Sequence, residues 1–124
     1  MRFIFIFLFS FLMLDVVYAD PDAKAITEIN HLIEFVKKSE VVFIRNGKEY
    51  PVEDAVKLIN NKYGSNKEKI KTAEDFIEKS ATKSEHSGLP YQIKFKDSTT
   101  KESGKWLLEE LSKFREKPTV EEKK

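Results

Sequence analysis

The stretch that most constrains the fold of this chain is residues 41–50, with the sequence VVFIRNGKEY. β-Branched and aromatic residues, which favour strands, lead to Asn46-Gly47, and a second short extended segment follows. Asn-Gly favours a two-residue hairpin turn, because both central residues of that turn need a positive φ. We therefore predict a β-hairpin whose facing pairs are Phe43–Tyr50, Ile44–Glu49 and Arg45–Lys48.

The first residues have the layout of a secretory signal peptide. The basic residue Arg2 precedes an almost uninterrupted apolar run from Phe3 to Leu14, and the small residue Ala19 ends a site fit for cleavage. The apolar run has 12 positions, whereas a helix needs about 20 residues to span a bilayer. We expect residues 1–19 to be removed, which gives an exported protein with no membrane span in its mature form.

The remaining residues suit one small domain that is stabilised by packing. Removal of residues 1–19 from the 124 leaves 105, and we assign residues 20–116 to a single domain and 117–124 to a disordered charged tail. The mature chain keeps 21 basic and 20 acidic residues, because the leader carries one of each. This balance gives no electrostatic footprint for nucleic acid, and the absence of cysteine excludes disulfides.

Apolar residues at helical spacing predict four helices. They cover residues 23–38, 51–63, 66–82 and 104–116. Ser65 and Glu68 have the spacing of a capping box at the start of the third helix. The positions expected to face the core are Ile26, Ile29, Ile33 and Val36, then Val52, Ala55, Val56, Ile59 and Tyr63, then Ile70, Ala73, Ile77 and Ala81, and finally Leu107, Leu108, Leu111 and Phe114.

A second pair of strands follows the third helix. Residues 91–96 alternate apolar and polar side chains, residues 97–98 turn the chain, and residues 99–102 pair back. We therefore predict an α+β fold with two β-hairpins and about four helices in the order α-ββ-α-α-ββ-α, preceded by the signal peptide. Because a two-stranded hairpin is marginal by itself, we expect either that the hairpins join into one four-stranded antiparallel sheet with the helices on one face, or that each hairpin packs firmly on the helices. A helical bundle with two hairpin wings is the alternative.

The candidate binding surface is the tip of the first hairpin. Arg45 and Lys48 share one face there, and two adjacent cations repel each other unless an anionic or aromatic group is near. The other candidate residues, which packing explains least, are Asn46, Gly47 and Tyr50 in the hairpin and Ser84, Ser87, Gly88 and Tyr91 in the loop before the third strand. We expect a non-enzymatic binding or protein-interaction module whose partner is an envelope protein or a small anionic ligand. A solvated turn without a ligand is the alternative.

The catalytic patterns in the chain are incomplete. Ser80-x-x-Lys83 matches a nucleophile motif of penicillin-binding enzymes, but a chain of this length cannot supply the rest of that fold. Ser84, His86 and Ser87 suggest an alternative function, a small cell-envelope hydrolase. No acid is identifiable that would orient the histidine as a base, so we expect no catalytic residue and no enzyme.

A metal site is not supported either. His31 and Glu34 lie three residues apart on the first helix, but no third ligand stands nearby in the sequence. Protein metal sites usually hold the ion with three or four side chains. We therefore expect neither a metal nor another cofactor.

Four segments share their residues and their order with a known family. They are residues 43–50 (FIRNGKEY), Glu53-x-Ala55-Val56-x-Leu58, residues 70–77 (IKTAEDFI) and Ser87-Gly-x-Pro-Tyr91. On these motifs, residues 29–114 resemble the YfeK-like family of bacterial exported proteins (domain of unknown function 5329). The resemblance implies a small exported protein of Gram-negative bacteria, periplasmic or secreted, with no established activity, substrate or catalytic residue. Some relatives carry cysteine near the hairpin, and this chain has none.

Overall fold

A computed structural model of the chain describes residues 23–84 and 87–117. Its helices are α1 (Ala23–Lys38), α2 (Val52–Ser65), α3 (Ala73–Ser80) and α4 (Ser103–Glu116). Its strands are β1 (Val42–Arg45), β2 (Lys48–Tyr50), β3 (Gln92–Lys94) and β4 (Thr100–Glu102), and a 3-10 turn covers Lys67–Lys69. The predicted order α-ββ-α-α-ββ-α is confirmed. The predicted signal peptide, His86 and the tail from residue 118 onward lie outside the described residues.

The first hairpin has the predicted turn and register. Asn46 and Gly47 adopt positive φ angles of 53° and 79°. The facing pairs are Phe43–Tyr50, Ile44–Glu49 and Arg45–Lys48. Because few residues tolerate the left-handed region, Asn-Gly fixes this register and with it the face on which each strand side chain lies.

The two hairpins join into one antiparallel sheet with the strand order β2-β1-β3-β4. β1 and β3 pair directly, with Phe43 opposite Ile93, and both side chains are buried. α2 packs on β1, and α4 packs on β3 and β4. The alternating side chains of the opposite face include the ion pair between Lys94 and Glu49, with Nζ and Oε2 2.5 Å apart. The joined sheet excludes the helical bundle with separate hairpin wings.

One hydrophobic core lies between the sheet and the helices. Aromatic rings contact each other within each layer of the core: the ring centroids of Phe43 and Tyr91 on the sheet are 5.3 Å apart, and those of Tyr63 and Phe76 on the helices are 5.2 Å apart. Pairs with these separations add to the stabilisation that burial provides. The fully buried aliphatic residues around them are Ile29, Leu32, Val36, Ile59, Ile70, Ile93, Leu107 and Leu111.

The third helix is shorter than predicted and begins at a different cap. α2 continues through Gly64, and the 3-10 turn and an extended Ile70 follow it before α3 begins. Ile70 is 1% exposed, so this break in the helical pattern inserts its side chain into the core. The capping box is formed by Thr72 and Asp75, whose side chains each accept the other's backbone amide. The predicted cap at Ser65 was therefore wrong.

Two apolar residues that were predicted to face the core are exposed. Ile26 is 43% exposed and Leu108 is 46% exposed. Each helix buries a narrower stripe than the full apolar pattern suggests. In α1 this stripe is Ala25, Ile29, Leu32 and Val36, and in α4 it is Trp106, Leu107 and Leu111.

A charge network connects α1, α3 and α4. The Nε and Nη2 atoms of Arg115 each donate to Glu28 at 2.9 Å, and its Nη1 atom donates to Glu74 Oε2 at 2.7 Å. Glu28 is only 4% exposed, so its carboxylate depends on this partner. Hydrogen bonds to Glu28 and then to Glu74 raise the pKa of Arg115.

Replacement of Arg115 by methionine removes the partner of the buried Glu28 carboxylate. We expect Arg115→Met to lower the free energy of unfolding by about 2 kcal/mol, below the value for a fully buried pair because the Arg115 side chain is 37% exposed. Urea denaturation measures the change. Lys113→Met, which removes an exposed cation from the same helix, is the control, and equal losses in the two variants would contradict the proposed role of the network.

The carboxylate of Glu74 makes the free energy of unfolding depend on pH in the acidic range. The hydrogen bond from Arg115 lowers the pKa of Glu74 from its ordinary value of 4.5. A carboxylate with a depressed folded pKa contributes stability that is complete above its unfolded pKa and is lost as the pH falls through the folded pKa. We expect the difference in unfolding free energy between wild type and Glu74→Gln to be constant at neutral pH and to shrink below pH 4.5. Glu78→Gln on the same helix is the control for denaturation at each pH, and identical curves for the two variants would refute the assignment.

Candidate functional site

A groove lies between the first hairpin and α2. Its volume is about 310 Å³. The hairpin lines it with Phe43, Arg45 and Tyr50, and α2 lines it with Asp54, Ala55, Lys57, Leu58 and Asn61. We call this cavity the hairpin groove. Two of the residues predicted as binding candidates from the sequence, Arg45 and Tyr50, lie in its wall.

The register of the hairpin and the start of α2 build the two walls. Alternation places Phe43 and Arg45 on the same face of β1, and Tyr50 lies beside Phe43 on β2. Pro51 then holds an extended conformation with φ −69° and ψ 161°, and its carbonyl accepts the amide of Asp54 at 3.0 Å. α2 therefore begins directly after the hairpin and lies alongside it.

The helical wall is one stripe of α2. Residues at positions i, i+3, i+4 and i+7 lie on one side of a helix, and Asp54, Lys57, Leu58 and Asn61 have this spacing. The small residue Ala55 is 1% exposed and lies at the base of the stripe. A larger side chain at that position would occupy space that the groove leaves open.

Arg45 is the residue of the hairpin groove that has a buried side-chain donor without a partner among the described residues. Its side chain is half-buried, and within residues 23–84 and 87–117 its Nε atom is shielded from solvent without any hydrogen-bond acceptor. A buried donor without a partner costs about 1–3 kcal/mol. The groove beside Arg45 is where an acceptor from a ligand would remove this cost.

The other polar groups of the groove are also unengaged. In the part of the chain that the structure describes, the side chains of Asp54, Lys57 and Asn61 form no hydrogen bond or ion pair. Cations elsewhere on the surface do pair, as Lys101 does with Glu109 at 2.7 Å. An apolar floor with a few unengaged polar groups at its rim is the usual composition of a ligand site.

The predicted loop contacts the tip of the hairpin through one hydrogen bond. Ser87 Oγ donates to Asn46 Oδ1 at 2.5 Å, and the amide of Leu89 donates to Ser87 Oγ at 3.2 Å. Gly88 has a φ of 75°, which suits glycine in this tight loop. The structure therefore brings the loop of Ser87 and Gly88 to the tip of the hairpin at Asn46, with Leu89 53% exposed beside them.

Two other candidate residues are part of the interior. Tyr91 is 1% exposed, and its hydroxyl accepts a hydrogen bond from Lys62 Nζ at 3.2 Å. Ser84 is 2% exposed, and its carbonyl accepts the amide of Gly88 at 2.7 Å. Tyr91 and Ile93 share the helix-facing side of their strand segment because side chains alternate, so Tyr91 belongs to the core and not to the binding surface predicted for it.

The helical half of the groove was not predicted from the sequence. Asp54, Lys57 and Asn61 were given no role there, and Leu58 appeared only in a motif of the family resemblance. Their common spacing was the available signal. It is also the spacing of any solvated helix face, so only the position of the hairpin shows that these residues line a cavity.

No metal centre is formed by the described residues, among which no group of three His, Cys, Asp or Glu side chains is close enough to hold an ion. His31 Nε2 instead lies 2.7 Å from Glu110 Oε2, and its ring stacks on Phe114 with centroids 4.0 Å apart. Glu34 accepts a hydrogen bond from Lys37. None of the helices within the described ranges is long and apolar enough to cross a membrane.

Removal of the Arg45 guanidinium also removes the buried Nε–H donor that has no acceptor, and with it the cost of burying that donor. We expect the free energy of unfolding of Arg45→Met not to fall, and to rise by up to about 1 kcal/mol, because the apolar stem keeps its packing while the buried N–H is lost. Thermal unfolding followed by circular dichroism measures the change. Lys48→Met, at the exposed neighbouring position, is the control that should give no gain, and a clear loss for Arg45→Met alone would show that Arg45 stabilises the free protein.

Comparisons with known proteins identify relatives but no activity. The family model described as a family of unknown function (DUF5329) matches residues 23–115. The chain is 35% identical over 75 residues to the uncharacterized protein YfeK of Salmonella typhimurium (strain LT2), an alignment that covers 60% of this chain and 62% of that relative. The chain therefore spans less than two thirds of the relative's length. No solved structure matches it.

Proposed function

The chain belongs to the DUF5329 family of unknown function, and from this premise we propose that it is a non-enzymatic binding module. Its ligand occupies the hairpin groove, and the guanidinium of Arg45 is the principal polar contact. The expected export of the protein, which rests on the layout of residues 1–19, would place this groove outside the cytoplasm.

The observation that carries this proposal is the shielded Nε atom of Arg45 without an acceptor. Proteins satisfy nearly all buried polar groups, so an orphaned donor that borders a cavity calls for an explanation. A ligand acceptor supplies one: it completes the hydrogen bonding of Arg45 and gains a charge-assisted bond worth about 1.5–3 kcal/mol.

The shape and lining of the groove support a ligand of low molecular weight. A volume of about 310 Å³ lies at the small end of the range for ligand pockets, about 300–1,000 Å³. Phe43, Ala55 and Leu58 supply apolar contact, and Tyr50 supplies an aromatic wall. Such a site binds the body of a small molecule by burial and orients it through a few polar groups.

The edge of the sheet argues against an added peptide strand. β2 is an edge strand, because the strand order is β2-β1-β3-β4. It has only three residues, carries exposed Lys48 and Glu49, and is followed at once by Pro51, which has no amide hydrogen. Short edges with charges and proline resist further strand pairing, so the ligand contacts side chains of the groove and does not extend the sheet.

The hydrolase hypothesis receives no support from the described residues. Ser84 is buried, and its Oγ atom lies 3.5 Å from the amide nitrogen of Ser87. The Ser87 hydroxyl is engaged with Asn46. Both serines hold the loop in shape, which leaves binding as the function that the site supports best.

Loss of the Arg45 guanidinium should abolish ligand capture. Protein purified after expression of the full chain is incubated with the dialysable fraction of a bacterial extract and separated by gel filtration, and the molecules retained are identified by mass spectrometry. We expect a ligand that wild type retains and that Arg45→Met retains at least about tenfold less, because a lost charge-assisted hydrogen bond exceeds 1.4 kcal/mol.

Two variants control this capture experiment. Lys105→Met removes an exposed cation from α4, away from the groove, and should retain the ligand as wild type does. Arg45→Lys keeps the charge without the planar fork and should give partial retention. Retention of the same molecules by wild type and Arg45→Met would overturn the proposed site.

A further inference from the structure

The hairpin groove contains charges of both signs around an apolar floor. We propose that its ligand is a small zwitterion with an apolar body, namely a free amino acid with an apolar side chain. The carboxylate contacts Arg45, and the ammonium group contacts Asp54. This inference rests on the proposed function of the groove and adds the chemical class of its ligand.

Arg45 is suited to a carboxylate. The guanidinium is planar, and its Nε and Nη donors match the two oxygens of a carboxylate. The Nε atom is the donor without an acceptor, so a side-on carboxylate engages the atom that the protein leaves unsatisfied. Lys57, on the facing wall of the groove, adds a second positive charge.

Asp54 is suited to an ammonium group. It lies in the first turn of α2, lines the same groove as Arg45, and is not neutralised by an ion pair within the described part of the chain. A purely anionic ligand in the groove would be repelled by Asp54, and a purely cationic ligand would be repelled by Arg45 and Lys57. A ligand with both charges meets an opposite charge at each end. The groove would therefore prefer a zwitterion to a purely anionic or a purely cationic ligand.

The apolar lining between these charges fits one compact side chain. Phe43 and Ala55 are buried at the floor, and Leu58 and Tyr50 flank them. The volume of about 310 Å³ equals that of roughly ten liquid waters at about 30 Å³ each. A single apolar side chain with its charged backbone groups fills such a space, and a long polymer does not.

Two other cavities of the described residues differ from the hairpin groove in their ion pairs. In the cavity near Ser39, His31 is paired with Glu110. In the cavity near Phe95, Lys96 is paired with Glu40. No such ion pair within the described residues engages Asp54 or Lys57 in the hairpin groove.

Four probes test the contribution of each charge of the proposed ligand separately. Protein purified after expression of the full chain is titrated with L-phenylalanine, 3-phenylpropionate, 2-phenylethylamine and inorganic phosphate, and amide shifts in ¹H–¹⁵N spectra report the site. We expect L-phenylalanine to bind at least about tenfold tighter than each of the other three. The shifts should concentrate at Arg45, Ala55 and Leu58.

Variants of α2 test the role of Asp54. Asp54→Asn should reduce the affinity for L-phenylalanine to that for 3-phenylpropionate, and Arg45→Met should abolish binding of both. Glu53→Gln is the matched control, because Glu53 precedes Asp54 in the same turn and does not line the groove. It should leave the preference unchanged.

The possible failures distinguish this inference from the proposed function. Equal affinities for L-phenylalanine and 3-phenylpropionate, tighter binding of phosphate, or an Asp54→Asn variant with the wild-type preference would overturn the zwitterion and leave Arg45-dependent binding intact. The same holds if no probe binds while an extracted ligand that depends on Arg45 lacks either charge. Absence of both probe binding and Arg45-dependent capture would overturn both proposals.

Discussion

The pairing of β1 with β3 is the interaction on which the rest of the structure depends. It joins two hairpins that would each be marginal alone and places Phe43 opposite Ile93 in the middle of the core. Each strand at this junction also has its own helix, α2 over β1 and α4 over β3. A single antiparallel contact thus turns two helix–hairpin units into one layered domain with a continuous interior.

The hairpin groove borders that interior. Phe43 and Ala55 are buried at its floor, and Arg45, two residues further along the same strand as Phe43, lines its wall. A lysine at position 45 would extend its flexible charge into solvent, whereas the broader guanidinium remains partly enclosed.

Local structure was predictable from the sequence where the residue types restrict the backbone to few conformations. Asn46-Gly47 specified the turn and register, and the alternation around Ile93 specified a strand with one buried face. The start of α3 was not predictable in this way, because two capping-box patterns lie near it, Ser65–Glu68 and Thr72–Asp75, and the burial of Ile70 selects between them. That burial is a tertiary fact, since it depends on the helices that surround the site.

The candidate site likewise contains some residues that were predictable from the sequence and others that were not. Arg45 and Tyr50 were identified because packing did not explain them in a short strand. Asp54, Lys57 and Asn61 resemble the wet side of any helix until the hairpin is placed against them. Tyr91 was assigned to a surface because it follows a loop rich in turn residues, and only the joined sheet shows that it packs on Phe43.

The continuity of the groove in the sequence has a consequence for folding. All of its lining residues lie between Phe43 and Asn61, so their contacts are local, whereas β1 and β3 are separated by the whole of α2 and α3. Local contacts form early, and pairings that close long loops form later because their entropic cost is larger. The hairpin and α2 can therefore assemble as a unit before the sheet is complete, and the hairpin groove is among the first parts of the molecule to form.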